Sequence, residues 1–133
     1  MQLRTQIIRA NQFVRTTPTG GLDLEQSKRM LREVLDTARE KLICELLLDL
    51  REAAEARLND AEVHELAESL KDYPSLFWRK LALLLPPDAP GIKASRFQIR
   101  ANSLGFDVQT FKEFEKAIYW LSTVQEVAAQ DLA

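Results

Sequence analysis

Two short apolar runs decide the fold of this chain: LLLDLREA at residues 46–53 and LALLLPPD at residues 81–88. Each run is too short for a helix of ordinary length, and each ends in charged or proline residues. Apolar runs of this length are typical of parallel strands covered on both faces, because neither face of such a strand meets water. We therefore predict buried strands over residues 45–52 and 81–85.

The segment before these strands predicts a β-hairpin. One β-like run ends at residues 7–8, a second includes residues 13–14, and residues 10–11 suit the turn between them. Residues 16–21, TTPTGG, then predict a turn before the first helix.

Capping signals and apolar periodicity place four helices. Asp23, with Gln26 three residues later, predicts a capping box for a helix that ends near residue 41. The same kinds of signal predict the other helices over residues 59–73, 92–104 and 110–121.

The remaining segments are predicted from local pattern. Residues 52–60, EAAEARLND, favour a loop or a weak helix, and residues 106–111 alternate as an edge strand does. Thr110 and Glu113 suit a capping box for the last helix. Residues 122–133 are expected to extend that helix or to fray.

The predicted order is β-β-α-β-α-β-α-β-α. Strands that alternate with helices pair in parallel through right-handed crossovers. We therefore expect one α/β domain over residues 1–133, with a mixed, mostly parallel five-stranded sheet, an N-terminal hairpin and about four helices.

Composition excludes several classes of protein. The chain has 133 residues, of which 46% are apolar, so it can bury a core without crosslinks. A formal charge of −2 gives no global field for binding nucleic acid. The longest apolar run, 81–85, is too short to span a membrane, and the N-terminus has no secretory stretch. We therefore expect a cytoplasmic protein.

The strand runs and two further motifs resemble the SpoIIAA-like branch of the STAS (anti-sigma-factor antagonist) superfamily. The motifs are Gly20-Gly21-Leu22 after the hairpin and GFDVQTFKEFEKAIYWL at residues 105–121. The resemblance covers residues 2–121 and implies a SpoIIAA-like fold, related to that of CRAL-TRIO lipid-binding domains. Members of this branch are small cytoplasmic bacterial proteins.

The resemblance also implies a regulatory or protein-interaction role without enzymatic activity. Phosphorylatable members carry Ser or Thr at the start of the helix after the central strand. Here the matching positions are Asn59, Asp60 and Ala61, which have no hydroxyl to phosphorylate. We therefore expect surface docking without the phosphorylation switch, through a protein partner or a homodimer. The alternative is a carrier or sensor of a small, lipid-like apolar ligand.

Charged residues at the predicted strand ends are the candidate ligand-binding set. Asp49 and Arg51 end the first parallel strand, and Asp88 follows the second. Ligands of open parallel sheets bind beyond the carboxyl ends of the strands. The simpler interpretation is that these side chains cap loop amides or form an ion pair.

The third helix carries a candidate partner-binding surface. Ile92 and Ile99 project away from its apolar stripe, and Lys93, Arg96 and Arg100 form a basic strip. This pattern suits docking to a protein with an acidic rim. A loosely amphipathic helix with a solvated basic face is the alternative.

The sequence offers no catalytic or metal-ligating set. His64 is the one histidine and Cys44 the one cysteine, and they lie on different predicted elements. We interpret His64 as a solvated side chain between Asp60 and Glu68, and Cys44 as a small buried thiol. We expect neither an enzyme nor a bound cofactor or metal.

Overall fold

The computed structural model of the protein describes residues 2–8, 13–73 and 78–123. In these ranges an α/β order is observed. The strands and helices are β1 (Gln2–Ile8), β2 (Phe13–Leu22), α1 (Leu24–Lys41), β3 (Glu45–Asp49), β4 (Ala53–Ala56), α2 (Asp60–Glu68), β5 (Lys80–Leu84), α3 (Ile92–Ser103), β6 (Asp107–Phe111) and α4 (Phe114–Ser122). A short 3-10 turn, Ser69–Asp72, follows α2.

The sheet confirms the predicted fold class. Its strand order is β1-β2-β3-β5-β6, and the short β4 pairs with the far end of β2. The β1–β2 hairpin is antiparallel, whereas β2, β3, β5 and β6 pair in parallel. The predicted turn at residues 10–11 and the extension beyond residue 123 lie outside the described residues.

The predicted turn at residues 16–21 is wrong, because this segment belongs to strand β2. Pro18 is tolerated there because it lies between the two parallel ladders of β2. The ladder with β3 ends at Thr16, and the ladder with β4 begins at Gly20. A missing N–H at this position therefore breaks no ladder hydrogen bond on that side. The register of β2 shifts after Gly20, whose φ of 87° is in the left-handed region.

The predicted loop or weak helix over residues 52–60 is also wrong in part. Residues 53–56 form β4, which pairs in parallel with β2 at Gly20 and Leu22. The N–H of Arg57 then donates to the carbonyl of Leu22 at 2.8 Å. Tertiary pairing thus outweighs the helix propensity of an alanine-rich segment.

The capping predictions have mixed outcomes. Capping boxes form at α1, between Asp23 and Gln26, and at α2, between Asn59 and Glu62. The predicted box at the last helix does not form, because Thr110 belongs to β6. Glu113 occupies the N-cap position of α4 without a side-chain hydrogen bond.

The two faces of the sheet are covered unequally. The α1 face, which we name for its first helix, packs against α1, α2 and α3 and holds the larger apolar core. The opposite face, the α4 face, packs against α4 through a smaller core. The buried members of this smaller core are Phe13, Leu47, Ala82, Leu84, Ala117 and Leu121.

Candidate functional site

Asp49 is the centre of a buried charge cluster on the α4 face. Its carboxylate, only 2% exposed, accepts hydrogen bonds from Arg15 Nη2 at 2.6 Å and from Arg51 Nη2 at 2.8 Å. Arg51 Nε and the Arg51 backbone N–H also donate to it, at 2.9 and 3.2 Å. We call these three residues the Asp49 cluster.

The fold brings the Asp49 cluster together at the point where β3 ends. Arg15 on β2 pairs with Leu47 of β3, and Asp49 lies two residues further along the same face. Arg51 lies in the turn that follows β3. Both guanidinium groups lie over the Phe114 ring at the start of α4, at 5.3 and 5.5 Å from its centroid. These cation–π contacts fix the N-terminal end of α4 on the sheet.

The electrostatics of the cluster favour the ionised carboxylate. Burial by itself would raise the pKa of Asp49, but the hydrogen bonds from Arg51 and Arg15 outweigh it and lower the pKa to about 2. A carboxylate with so low a pKa, and with both oxygens already accepting hydrogen bonds, is a weak general base. The arrangement therefore matches the ion-pair interpretation for Asp49 and Arg51.

The structure does not bring all three predicted ligand-binding residues together. Asp88 is exposed in the turn after β5. Within the described residues, no hydrogen bond or ion pair joins Asp88 to Asp49 or Arg51. A ligand-binding role for these residues stays a prediction.

Lys80 is a buried charged side chain that the sequence analysis missed. It is 5% exposed at the start of β5, and its Nζ donates to the carbonyls of Trp120 and Thr123, each at 2.7 Å. The ammonium group also lies 5.3 Å from the centroid of the Trp120 ring. Lys80 thus caps the C-terminal end of α4 from the sheet. A lone lysine before an apolar run gives no sequence signal for this role.

The exposed side of α3 carries the predicted partner-binding residues. Ile92 and Ile99 are 59% and 67% exposed, and their spacing of seven residues places them on one side of the helix. We call this pair the Ile92/Ile99 ridge. The core side of α3 is formed by Phe97 and Ala101, which are buried.

Two arginines of the basic strip of α3 form ion pairs with acidic residues of α2. Arg96 forms an ion pair with Asp60, and Arg100 forms one with Glu68. Hydrogen bonds from Lys71 and Arg100 lower the pKa of Glu68 to about 2. These pairs balance the arginine charges locally and orient α3 against α2. Lys93 is half-buried on the same helix.

The positions that the resemblance matches to a phosphorylation site, Asn59 and Asp60, have structural roles. The Asn59 side chain accepts from the Glu62 backbone N–H at 2.8 Å, and the Asn59 N–H donates to Glu62 Oε1 at 3.0 Å. Asp60 begins α2 and is largely exposed beside Arg96.

His64 and Cys44 do not form a site together. His64 is exposed and its Nε2 lies 3.5 Å from Glu68 Oε1. Cys44 is a free thiol and is half-buried, so the expectation of a buried thiol is wrong. In the part of the chain that the structure describes, no group of three or more acidic, His or Cys side chains is arranged to hold a metal ion.

Two surface depressions flank the end of β6. The smaller one lies between the loop after β5 and β6 and is lined by Leu85, Ser95 and Thr110. The larger one is an open groove of about 620 Å³ between β6 and α4, with walls formed by Phe111, Tyr119 and Trp120. Tyr119 is 75% exposed in this groove.

Comparison with known proteins identifies the fold. The structure is similar to the crystal structure of an uncharacterised protein of the DUF3478 family, with a SpoIIAA-like fold, from Shewanella loihica PV-4. The TM-score is 0.56 at 17% sequence identity, and the match covers 90% of this chain and 92% of that one. The chain therefore has a SpoIIAA-like fold, as its sequence motifs predicted. No family profile and no curated protein matches the sequence.

None of the helices in the described ranges has the length and apolar character needed to cross a membrane. This agrees with the short apolar runs of the sequence. The fold relationship to CRAL-TRIO domains stays a prediction, because the matched structure does not test it.

Proposed function

We propose that this chain is a non-enzymatic regulatory module that docks a protein partner through the Ile92/Ile99 ridge. One observation carries the proposal: both isoleucines are more than half exposed on a helix whose core side is already buried. Exposed apolar side chains at helical spacing are a common anchor for a partner.

The surroundings of the ridge define the chemistry of the partner. Arg96 and Arg100 remain 52% and 36% exposed although each pairs with an acidic residue of α2. An acidic rim on the partner would share these arginines with Asp60 and Glu68. We therefore propose a partner with an apolar contact centre and acidic residues around it.

The proposed docking does not use the phosphorylation switch of the resembled branch. Asn59 and Asp60 occupy the matching positions, and the capping box uses the Asn59 side chain. We propose that binding does not depend on a phosphate at the start of α2.

The test compares two exposed apolar residues on opposite faces of the sheet. Ile99→Glu should abolish the protein complex seen by native mass spectrometry of the chain isolated gently from its host. Tyr119→Glu is the matched control, since Tyr119 is 75% exposed, against 67% for Ile99, but belongs to α4. A complex that survives Ile99→Glu and is lost with Tyr119→Glu would contradict the proposal. Thermal unfolding of both variants verifies that they fold.

A second candidate function is the carrier or sensor of a small apolar ligand. The aromatic groove between β6 and α4 favours it, because Phe111, Tyr119 and Trp120 offer apolar walls to such a ligand. In this case native mass spectrometry would show an added small mass that is lost on denaturation. Tyr119→Glu would then remove the added mass, whereas Ile99→Glu would leave it.

A further inference from the structure

The two edges of the sheet differ in whether their outward backbone groups have hydrogen-bond partners. At one edge, the outward N–H groups of β6 donate to side chains of α3: Thr110 to Gln98 at 2.8 Å and Val108 to Asn102 at 3.1 Å. At the other edge, no hydrogen bond from the described residues reaches the outer side of β1. Natural sheets usually protect an exposed edge, because its unpaired backbone groups are a template for another strand.

The composition of β1 does not protect it. The strand has seven residues, QLRTQII, without proline and with a single charged residue, Arg4. Arg4 is held by its own chain, since its Nη2 lies 3.2 Å from Glu52 Oε2. The features that normally block an edge, such as proline or several charges, are therefore missing from β1.

We propose that the outer edge of β1 pairs with β1 of a second copy of this chain, in an antiparallel arrangement around a two-fold axis at Thr5. This dimer interface goes beyond the docking of a partner at α3. It joins two sheets into one continuous sheet and leaves the Ile92/Ile99 ridge of each copy free.

The side chains of β1 select this register. Leu3, Thr5 and Ile7 share the face of their β2 partners Pro18, Thr16 and Val14, and Thr5 also contacts Glu33 of α1. A two-fold axis normal to the sheet keeps each face continuous, so residues directly opposite each other must lie on the same face. The axis therefore passes between the two copies of a single residue and not between positions that are neighbours in sequence.

Among the possible centres, Thr5 gives the best pairing. An axis at Arg4 would place two like charges directly opposite each other, which is destabilising. An axis at Thr5 places Leu3 opposite Ile7 of the partner subunit and Arg4 opposite Gln6 of the partner subunit. Thr5 is also the middle residue of the seven, so the whole strand is paired.

The first test uses disulfide trapping in the full chain with Cys44→Ser as background. Residues that face each other across an antiparallel pair have Cα atoms about 4.5–5.5 Å apart, which is within the span of a disulfide. Thr5→Cys should therefore yield a crosslinked dimer under mild oxidation. Gln6→Cys is the matched control, because its two copies would be offset along the strands by about 7 Å and should remain reduced.

The second test changes charge without a crosslink. Gln6→Glu places a carboxylate opposite Arg4 of the partner subunit and should tighten the dimer, on the order of fivefold in dissociation constant. Gln6→Arg should weaken it by a similar factor. Sedimentation velocity over a range of protein concentrations measures both.

Three results would overturn the proposal. The first is a monomer at every concentration together with no crosslink at Thr5→Cys. The second is a dimer whose dissociation constant is unchanged by both Gln6 substitutions. The third is a dimer that Ile99→Glu dissociates, which would place the interface on α3. Partner binding that survives Ile99→Glu while the dimer stays intact would instead count against the docking function alone.

Discussion

The ammonium nitrogen of Lys80 lies 2.7 Å from the carbonyl oxygen of Trp120, which joins the buried start of β5 to the end of α4. The Asp49 cluster holds the other end of α4 through Phe114. The helix that covers the α4 face is thus fixed at both ends by cations from the sheet.

We expect Lys80→Met to lower the free energy of unfolding by about 2 kcal/mol, because a charged donor to two helix carbonyls is lost. Urea denaturation followed by circular dichroism measures the change. Lys116→Met is the control, since Lys116 is 75% exposed on α4 and should change stability by less than about 0.5 kcal/mol. Equal effects of the two substitutions would show that Lys80 does not hold α4.

The Asp49 cluster predicts a specific loss of stability in acid. Because the folded pKa of Asp49 is about 2 and its unfolded value is about 3.8, the folded state binds fewer protons than the unfolded state between these values. This contribution is present above pH 4 and is lost as the pH falls towards 2. It amounts to about 2 kcal/mol.

The measurement is the free energy of unfolding as a function of pH for the natural chain and for Asp49→Asn. The variant should be less stable at pH 7 and should have a shallower slope between pH 4 and 2. An unchanged slope would mean that other carboxylates cause the acid loss. Glu52→Gln is the control, because Glu52 lies in the turn after β3 with 55% of its side chain accessible.

The hydrogen bonds from the β6 edge to α3 predict a loss of stability when their side-chain acceptors are removed. Removing the amides with Gln98→Ala and Asn102→Ala leaves the N–H groups of Thr110 and Val108 without their partners. We expect each substitution to cost about 1 kcal/mol and the double variant to aggregate more readily when heated. Light scattering during thermal unfolding checks this. Asn102→Asp, which keeps an acceptor, should largely preserve solubility.

Much of the fold was predictable because its signals are local. The two apolar strand runs and the capping boxes at Asp23 and Asn59 depend on signals over a few residues. The structure contains all four, although the first strand ends at Asp49 and not at the predicted residue 52. The resemblance to the SpoIIAA-like branch likewise followed from short motifs and gave the fold correctly.

The errors have a common physical cause. β4 and the glycine-rich part of β2 have weak strand propensity, and they form strands because they pair with each other. Lys80 acts on α4 across a separation of 40 residues, and Arg15 reaches Asp49 across 34. Contacts of this kind depend on the sheet topology, and no spacing in the sequence reports them.

The candidate site was predicted in part. The sequence analysis placed Asp49 and Arg51 together but missed Arg15, because the pairing of β2 with β3 brings it there. It identified the exposed pair Ile92 and Ile99 from helical periodicity alone. It did not show that Arg96 pairs with an acidic residue of α2.

The most direct test of the docking function is titration calorimetry of the purified partner against three forms of the chain. Against the natural chain, the double variant Ile92→Ala and Ile99→Ala should bind about 30-fold more weakly, since roughly 2 kcal/mol of apolar burial is removed. Tyr119→Ala should bind as the natural chain does. An unchanged affinity of the double variant, or a loss confined to Tyr119→Ala, would contradict docking at α3.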